Sequence, residues 1–179
     1  MKRVSLVLVC LLVFSGLAVA AEVSLLSLGD APGQWEVSIG KGALDGAIKA
    51  MEQEGEAGVE MFYSHPAQSG FDYIDYNYIP QSPLNVLLKT IRVRIDLPAD
   101  PDQYLELFLY DASGGVCSFT FPTGQDKVET FTLRNWDFQV WTGGFNFTEV
   151  TLIRFRSIGD AGTKATTGRY VLYELGLVD

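Results

Sequence analysis

The stretch from Lys89 to Gly115, "KTIRVRIDLPADPDQYLELFLYDASGG", contains two runs of alternating apolar and polar residues, separated by a short segment rich in Pro and Asp. Side chains along a β-strand point alternately to opposite faces, so this pattern predicts two amphipathic strands joined by a turn. The predicted buried faces consist of Ile91, Val93, Ile95 and Leu97 in the first run and of Leu105, Leu107 and Leu109 in the second.

The rest of the chain repeats this pattern. Runs rich in Val, Ile, Thr, Tyr and Phe are separated at short intervals by Gly, Pro, Asp and Asn, and "TLIRFRSI" (151–158) and "GRYVLYELGLV" (168–178) contain alternating segments. The segment "GAIKAMEQEG" (46–55) is also predicted to be a strand, because its flanking glycines leave too few residues for a stable helix. The sequence therefore predicts an all-β fold, either a sandwich or a barrel.

The N-terminal segment has the features of a secretory signal peptide. A basic start, "MKR", is followed by an apolar run and by an Ala-Val-Ala cleavage pattern that ends at Ala20. A membrane anchor is the alternative, but the apolar run is short for a bilayer span. We predict a cleaved signal peptide over 1–20, a single domain over 21–179, and a secreted or periplasmic location in a bacterium.

Charge and cysteine content narrow the possible partners. The formal net charge of −9 becomes −11 once Lys2 and Arg3 are removed, which disfavours nucleic acid and anionic lipid as partners. No later apolar run is long enough to span a membrane. Cys117 is the only cysteine left after cleavage, and we predict that it is a buried apolar residue rather than a nucleophile.

The order of these segments resembles that of the galactose-binding-like β-jelly rolls, which include many carbohydrate-binding modules. The matching segments, in chain order, are "DAPGQWEV", "GVEMFYS", "IRVRIDLP", "YLELFLYDASGG", "VTLIRFRSIGD" and "YVLYELGLV". The resemblance implies a β-sandwich of two antiparallel sheets and the binding of a glycan. It also implies a possible structural calcium, although Tyr173 replaces one of the two acids common in the closing strand. The candidate calcium ligands are Asp30, Asp45, Glu60 and Glu174.

Side chains on the outward faces of three strands are candidates for a binding surface. If these strands share the concave sheet of a jelly roll, they line a groove of aromatic rings, guanidinium groups and a carboxylate. Sugars stack on such rings and hydrogen-bond to such polar groups. The alternative is that the charged residues form cross-strand pairs on a solvated face. The predicted ligand-binding residues are Arg92, Arg94, Tyr104, Glu106, Phe108, Tyr110, Trp141, Arg154 and Arg156.

The three tryptophans are predicted to have different environments. Trp35 and Trp136 are predicted to lie in the core, because large aromatic side chains dominate burial. Trp141 precedes the "TGGF" loop and is predicted to be an exposed platform for a ligand. The Tyr-rich segment "FDYIDYNYIPQSP" (71–83) is either part of a binding rim or an amphipathic strand with its hydroxyls in water.

The sequence does not predict an enzyme. His65 is the only histidine, so any Ser-His-Asp mechanism would need it, although it precedes Pro66 in a predicted turn. A carboxylate pair for glycoside hydrolysis stays open, with Glu106 opposite Glu60 or Glu174 as an example. We predict an exported, non-catalytic domain that binds a polysaccharide or oligosaccharide. The alternatives are an assembly or surface domain that binds another protein, and a jelly-roll glycan hydrolase or lyase.

Overall fold

The computed structural model describes residues 23–24, 35–40, 42–67, 72–159 and 164–179. The predicted signal peptide and Asp30 lie outside these residues. Among the described residues, no helix is long and apolar enough to cross a membrane. The elements in chain order are β1 (Val23–Ser24), β2 (Trp35–Ile39), β3 (Asp45–Gln53), β4 (Glu56–His65), β5 (Asp72–Tyr78), β6 (Thr90–Leu97), β7 (Gln103–Asp111), β8 (Val116–Thr120), β9 (Lys127–Leu133), a 3₁₀ turn (Asn135–Asp137), β10 (Gln139–Val140), β11 (Val150–Gly159) and β12 (Thr166–Val178).

The described strands form two antiparallel sheets. The first sheet has the order β3-β4-β12-β6-β9, with β1 paired to β12, and the second has the order β10-β8-β7-β11-β5-β2. The chain crosses between the sheets repeatedly, for example from β5 to β6 and back from β6 to β7. The predicted β-sandwich of two antiparallel sheets with jelly-roll topology is confirmed.

Alternation along the strands determines which side chains lie between the sheets. In β6, the residues from Ile91 to Leu97 alternate between buried and half-buried, as the sequence predicts. In β7, Leu105, Leu107 and Leu109 are at most 2% exposed. In β9, where the pattern leaves the inward side open, Leu133 is the buried member. These three strands therefore each have one face towards the core and one face away from it.

The β3–β4 hairpin confirms that the segment up to Gln53 is a strand and shows what ends it. Gln53 pairs with Glu56, which leaves a loop of two residues, Glu54 and Gly55. Both have positive φ angles, 56° and 79°, as a type I′ turn requires. This turn matches the twist of paired strands, and the two flanking strands extend from it in register.

The structure tests the predicted burial of Trp35 and Trp136. Trp35 is 7% exposed and packs edge-to-face on Tyr78 at 5.3 Å between ring centroids, which confirms its predicted burial. The core prediction for Trp136 is wrong, because this residue is 69% exposed. Strand β9 ends at Leu133 and the 3₁₀ turn interrupts the alternation, so that Phe138 enters the core instead.

Asp111, at the end of β7, organises the loops at one end of the second sheet. Its Oδ1 accepts hydrogen bonds from the backbone N–H groups of Ser113 and Gly115 at 2.8 and 2.7 Å. Its Oδ2 accepts one from the backbone N–H of Asn146 at 2.7 Å. These bonds, that from Asn146 above all, lower the pKa of Asp111 to about 2. One carboxylate thus ties the β7–β8 turn to the loop that follows Trp141.

We predict that Asp111→Ala lowers the free energy of unfolding by about 2–3 kcal/mol at pH 7, because several backbone donors lose their acceptor. Since the folded-state pKa is depressed, the wild-type contribution is complete above about pH 4 and is lost as the pH falls towards 2. Urea denaturation at pH 7 and pH 3 measures both effects. The control is Asp102→Ala in an exposed turn, and equal stabilities of the two variants would contradict the prediction.

Candidate functional site

The outer face of the second sheet carries two rows of facing side chains. In the first row, Arg156 of β11 is paired in register with Glu106 of β7 on one side and with Asp75 of β5 on the other. In the second row, Arg154 lies between Phe108 and Asn77. The rows are two residues apart along each strand, so their side chains point to the same face. Each guanidinium therefore has a polar neighbour on β5.

Arg156 contacts two aromatic rings that lie on either side of the first row, Tyr73 and Phe108. Its Nε and Nη2 donate to the two carboxylate oxygens of Asp75 at 2.6 and 2.9 Å. Its guanidinium carbon lies 4.1 Å from the ring centroid of Tyr73 and 5.2 Å from that of Phe108. The hydrogen bonds with Asp75 raise the pKa of Arg156, so the side chain stays charged. A bidentate pair and two ring contacts fix its orientation.

Arg154 has a comparable role in the second row. Its Nε donates to Asn77 Oδ1 at 2.7 Å, and its Nη1 donates to the Tyr110 hydroxyl at 2.8 Å. The same Nη1 lies 3.2 Å from Asp75 Oδ2. The two arginines are therefore bound to the sheet by cross-strand contacts, as the alternative interpretation of the sequence proposed. They support a surface of rings rather than extending as free hydrogen-bond donors.

Trp141 lies on the other side of this surface, next to β8. Its Nε1 donates to Ser118 Oγ at 2.8 Å, and its side chain is 58% exposed, in agreement with the exposed position predicted for it. Between this indole and Tyr73 lies an open groove of about 530 Å³. We call this feature the groove. It is lined by Tyr73, Glu106, Phe108, Val116, Trp141, Thr142, Arg156 and Ile158.

The structure brings together most of the predicted binding residues, but not all of them. Tyr104, Tyr110 and Arg154 lie on the same outer face as the groove residues Glu106, Phe108, Trp141 and Arg156. Arg92 and Arg94 do not join them, because β6 belongs to the first sheet. Their side chains point away from the core on the opposite side of the sandwich, where Arg92 pairs with Glu174 and Arg94 with Glu56. The expectation that all three strands share one sheet is wrong.

The sequence does not indicate several residues of this outer face. It predicts Tyr73 only as part of a possible rim, and it gives no role to the groove residue Ile158 or to Asp75 and Asn77, which hold the two arginines. All seven residues of β5 are buried or half-buried, and the strand mixes aromatic and polar side chains on both faces, so its pattern does not show which face is outward. The usable signal is the spacing of two between Tyr73, Asp75 and Asn77, opposite the inward Ile74, Tyr76 and Tyr78.

Three of the predicted calcium ligands lie in the described part of the chain, and each of them contacts a different partner. The Glu60 carboxylate accepts hydrogen bonds from Lys49 and Arg169 at 2.9 and 2.7 Å. Burial alone would raise the pKa of Glu60 and is the largest single influence on it. The two cations together outweigh burial, so the pKa is lowered. Glu174 pairs with Arg92 at 2.5 Å, and Asp45 accepts from the backbone of Gly46. Among the described residues, no three His, Cys, Asp or Glu side chains are grouped to hold a metal ion. Asp45, Glu60 and Glu174 therefore do not fit one calcium site.

The carboxylate pairs considered for glycoside hydrolysis are also separated. Glu106 lies on the outer face of the second sheet, whereas Glu60 and Glu174 lie on strands β4 and β12 of the first sheet and pair with cations there. The packed core lies between these carboxylates. Neither pair can act on the two sides of one glycosidic bond.

Three buried side chains have the order of a Ser-His-Asp triad. His65 is the last residue of β4, not part of a turn, and its Nε2 lies 2.9 Å from Ser157 Oγ. Its Nδ1 lies 3.3 Å from Asp72 Oδ1. All three residues are at most 1% exposed. A substrate cannot reach the Ser157 hydroxyl, so this cluster connects the two sheets rather than forming an active site.

Gly159 makes room for the carboxylate of this cluster. A Cβ atom at Gly159 would lie 2.2 Å from Asp72 Oδ1 and 2.9 Å from His65 Cβ. Burial lowers the pKa of His65, although Asp72 acts in the opposite direction. The imidazole is therefore held in its neutral form by its position between the sheets.

The structure is a β-sandwich with an open groove on the outer face of one sheet, and solved structures of this fold include carbohydrate-binding modules. One is the family 11 module from Clostridium thermocellum in complex with a β-1,3-1,4-mixed-linked tetrasaccharide (TM-score 0.66, 16% identity, 90% of this chain and 96% of that chain). Another is TmCBM27, a module that recognises mannan (TM-score 0.55, 13% identity, 90% of this chain and 97% of that chain).

The same fold also occurs within a larger enzyme. The agarase AgWH50C matches with a TM-score of 0.59 and 12% identity over 88% of this chain, but over only 24% of the agarase. No protein-family model matches the sequence, and no curated protein matches it. At these identities the likeness concerns the fold. The chain thus has a jelly-roll fold similar to that of carbohydrate-binding modules, which confirms this part of the resemblance seen in the sequence.

We predict that the single histidine makes stability depend on pH between about 7 and 5. Because the folded-state pKa of His65 is lowered, its contribution to stability is complete above the unfolded value of about 6.5 and falls as the pH drops below it. His65→Gln removes this titration, so its free energy of unfolding should change less over this range. Urea denaturation at several pH values measures the slopes, and identical slopes for both proteins would contradict the prediction.

Proposed function

We propose that the domain binds a polysaccharide or oligosaccharide in the groove without catalysing a reaction. The observation that supports this most directly is the composition of the groove. Tyr73, Phe108 and Trp141 provide aromatic rings, and Glu106 and Thr142 provide polar groups beside them. Sugars present both C–H faces and hydroxyl groups, so a surface of this mixed kind suits them.

The rings are held in position before any ligand arrives. Arg156 contacts Tyr73 and Phe108, and it is itself fixed by two hydrogen bonds to Asp75. Trp141 is fixed by its hydrogen bond to Ser118. A ligand that stacks on these rings therefore loses little free energy in ordering them. A preformed groove is what a non-catalytic binding module needs.

The charges of the groove favour a neutral glycan. Asp75 neutralises Arg156, and Glu106 adds a carboxylate whose Oε1 accepts a hydrogen bond from Thr120. The whole chain is acidic, with a net charge of −9. A polysaccharide rich in uronic acid or sulfate would be repelled by this field. Hydroxyl groups that donate to Glu106 meet no such penalty.

The solved structures of the same fold support the ligand class. The modules named above were described with a mixed-linked tetrasaccharide and with mannan, both of which are glycans. The proposed location is secreted or periplasmic, on the basis of the predicted signal peptide over 1–20. The structural calcium stays a prediction from the resemblance, and no part of the proposed binding mechanism requires it.

We predict that Trp141→Ala weakens binding to a neutral polysaccharide at least tenfold, or about 1.4 kcal/mol, because the indole forms one side of the groove. Calorimetry and affinity electrophoresis against mixed-linked β-glucan, mannan and an anionic polysaccharide measure the affinities. Glu106→Gln should also weaken binding, by loss of a charged acceptor.

The control for these variants is Arg94→Ala. Arg94 lies on the outer face of the first sheet, where its pair with the exposed Glu56 contributes little to stability. This variant should bind as the wild type does. The proposal is wrong if no glycan binds, or if Trp141→Ala and Arg94→Ala bind equally well.

A further inference from the structure

A second exposed aromatic surface lies at one end of the first sheet. Strand β6 begins there, and strands β9 and β12 end there, since Thr90 pairs with Val178 and Ile91 with Leu133. Trp136 follows β9 and is 69% exposed, and Leu88, just before β6, is 90% exposed. Large apolar side chains grouped at the surface are typical of contact sites.

The turn that carries Trp136 is held by hydrogen bonds at both of its ends. The carboxylate of Asp137 accepts a hydrogen bond from the Arg134 backbone N–H at 2.7 Å, and the Asp137 N–H donates to the Arg134 carbonyl at 2.9 Å. The next residue, Phe138, is anchored in the core at 7% exposure. The Arg134 guanidinium lies 5.1 Å from the centroid of the indole. Trp136 is thus supported from its own turn, with most of its surface open to solvent.

The loop before β6 is attached to the sandwich by its backbone. Leu84 N–H donates to the Val150 carbonyl at 2.8 Å, and Val86 N–H donates to the Phe147 carbonyl at 2.7 Å. Val86 is 2% exposed, so it anchors the loop in the core. The following Leu87 and Leu88 are therefore presented by a fixed backbone.

Polar groups surround this apolar surface. Between the loop and the turn lies a hollow of about 350 Å³, which we call the end hollow. Lys89 and Asp179 form an ion pair on one side of it, and Arg134 and Asn135 lie on the other. The end hollow is lined by Leu87, Leu88, Lys89, Thr90, Arg134, Asn135, Trp136 and Asp179.

We propose that the end hollow is a second glycan-binding site, in which a sugar ring stacks on Trp136 and its hydroxyls bond to the surrounding polar groups. A ring platform edged by ammonium, guanidinium, amide and carboxylate groups offers both the donors and the acceptors that a neutral sugar needs. A purely apolar partner would leave these groups without hydrogen bonds. The proposal shares the ligand class of the proposed function, but it shares no lining residue with the groove.

The end hollow and the groove are connected by a short segment of the chain. The segment from Trp136 to Trp141 crosses from β9, at the edge of the first sheet, to β10, at the edge of the second. Five residues of extended chain span at most about 18 Å, so this is the upper limit between the two Cα atoms. One polysaccharide chain can then contact both sites around this edge of the sandwich. Binding at both sites strengthens attachment to a polymer more than to a short oligosaccharide.

The test uses the full chain with Trp136→Ala, Trp136→Phe and Trp141→Ala, titrated with neutral polysaccharides and with short oligosaccharides prepared from them. Trp136→Ala should lower affinity for the polymer about fivefold or more, whereas Trp136→Phe, which keeps a ring, should retain most of it. In Trp141→Ala, the fluorescence of Trp136 should still change on addition of glycan, because Trp35 is buried. Melting temperatures should stay near the wild-type value, since Trp136 is exposed.

The outcomes separate this proposal from the one on the groove. If Trp136→Ala binds the polymer as the wild type does, or if no fluorescence change occurs in Trp141→Ala, the second site is disproved while the groove stands or falls on its own variants. If Trp141→Ala leaves binding unchanged and Trp136→Ala abolishes it, the groove proposal fails and the second site is supported. A protein partner that requires Trp136, with no response to any glycan, would overturn the proposal.

Discussion

The structure depends on the burial of one face of each of the central strands between the two sheets. Ile95, Leu107, Ile153 and Leu172 are fully buried residues from four different strands, and their positions fix which way each strand faces. A shift of one residue in any of these strands would expose its apolar side chains and bury its charged ones. The core therefore leaves only the outer faces and the loops for binding. The aromatic residues that stand outward on the second sheet are placed there by this constraint.

The outer face of the second sheet illustrates how polar pairs support an apolar surface. Arg156 and Asp75 face each other across β11 and β5, and the guanidinium donates a hydrogen bond to each carboxylate oxygen. The guanidinium then serves as a flat support for Tyr73 and Phe108. This explains how Phe108 is only 7% exposed although it lies on an outer face. The charges fix the rings, and the rings provide the surface for stacking.

Alternation along single strands could be predicted from the sequence, but the pairing between strands could not. The faces of β6, β7 and β11 follow directly from "IRVRIDL", "YLELFLY" and "LIRFRSI", because the period of two is a local property. Sheet membership depends on contacts between distant segments. The alternation of β6 and β7 correctly predicts that Arg92 and Glu106 both point away from the core. It does not show that the two strands belong to different sheets, which puts these residues on opposite sides of the sandwich. The exposure of Trp136 depends on a 3₁₀ turn for which the sequence has no strong signal.

The proposed function places a neutral glycan in the groove on the second sheet. The most direct measurement is an NMR titration of the domain with a short oligosaccharide from a polysaccharide that it binds. The largest changes in chemical shift should fall on groove residues, including Tyr73, Phe108 and the indole N–H of Trp141. Changes centred on Arg92 and Arg94 on the outer face of the first sheet, or no changes with any neutral glycan, would contradict it.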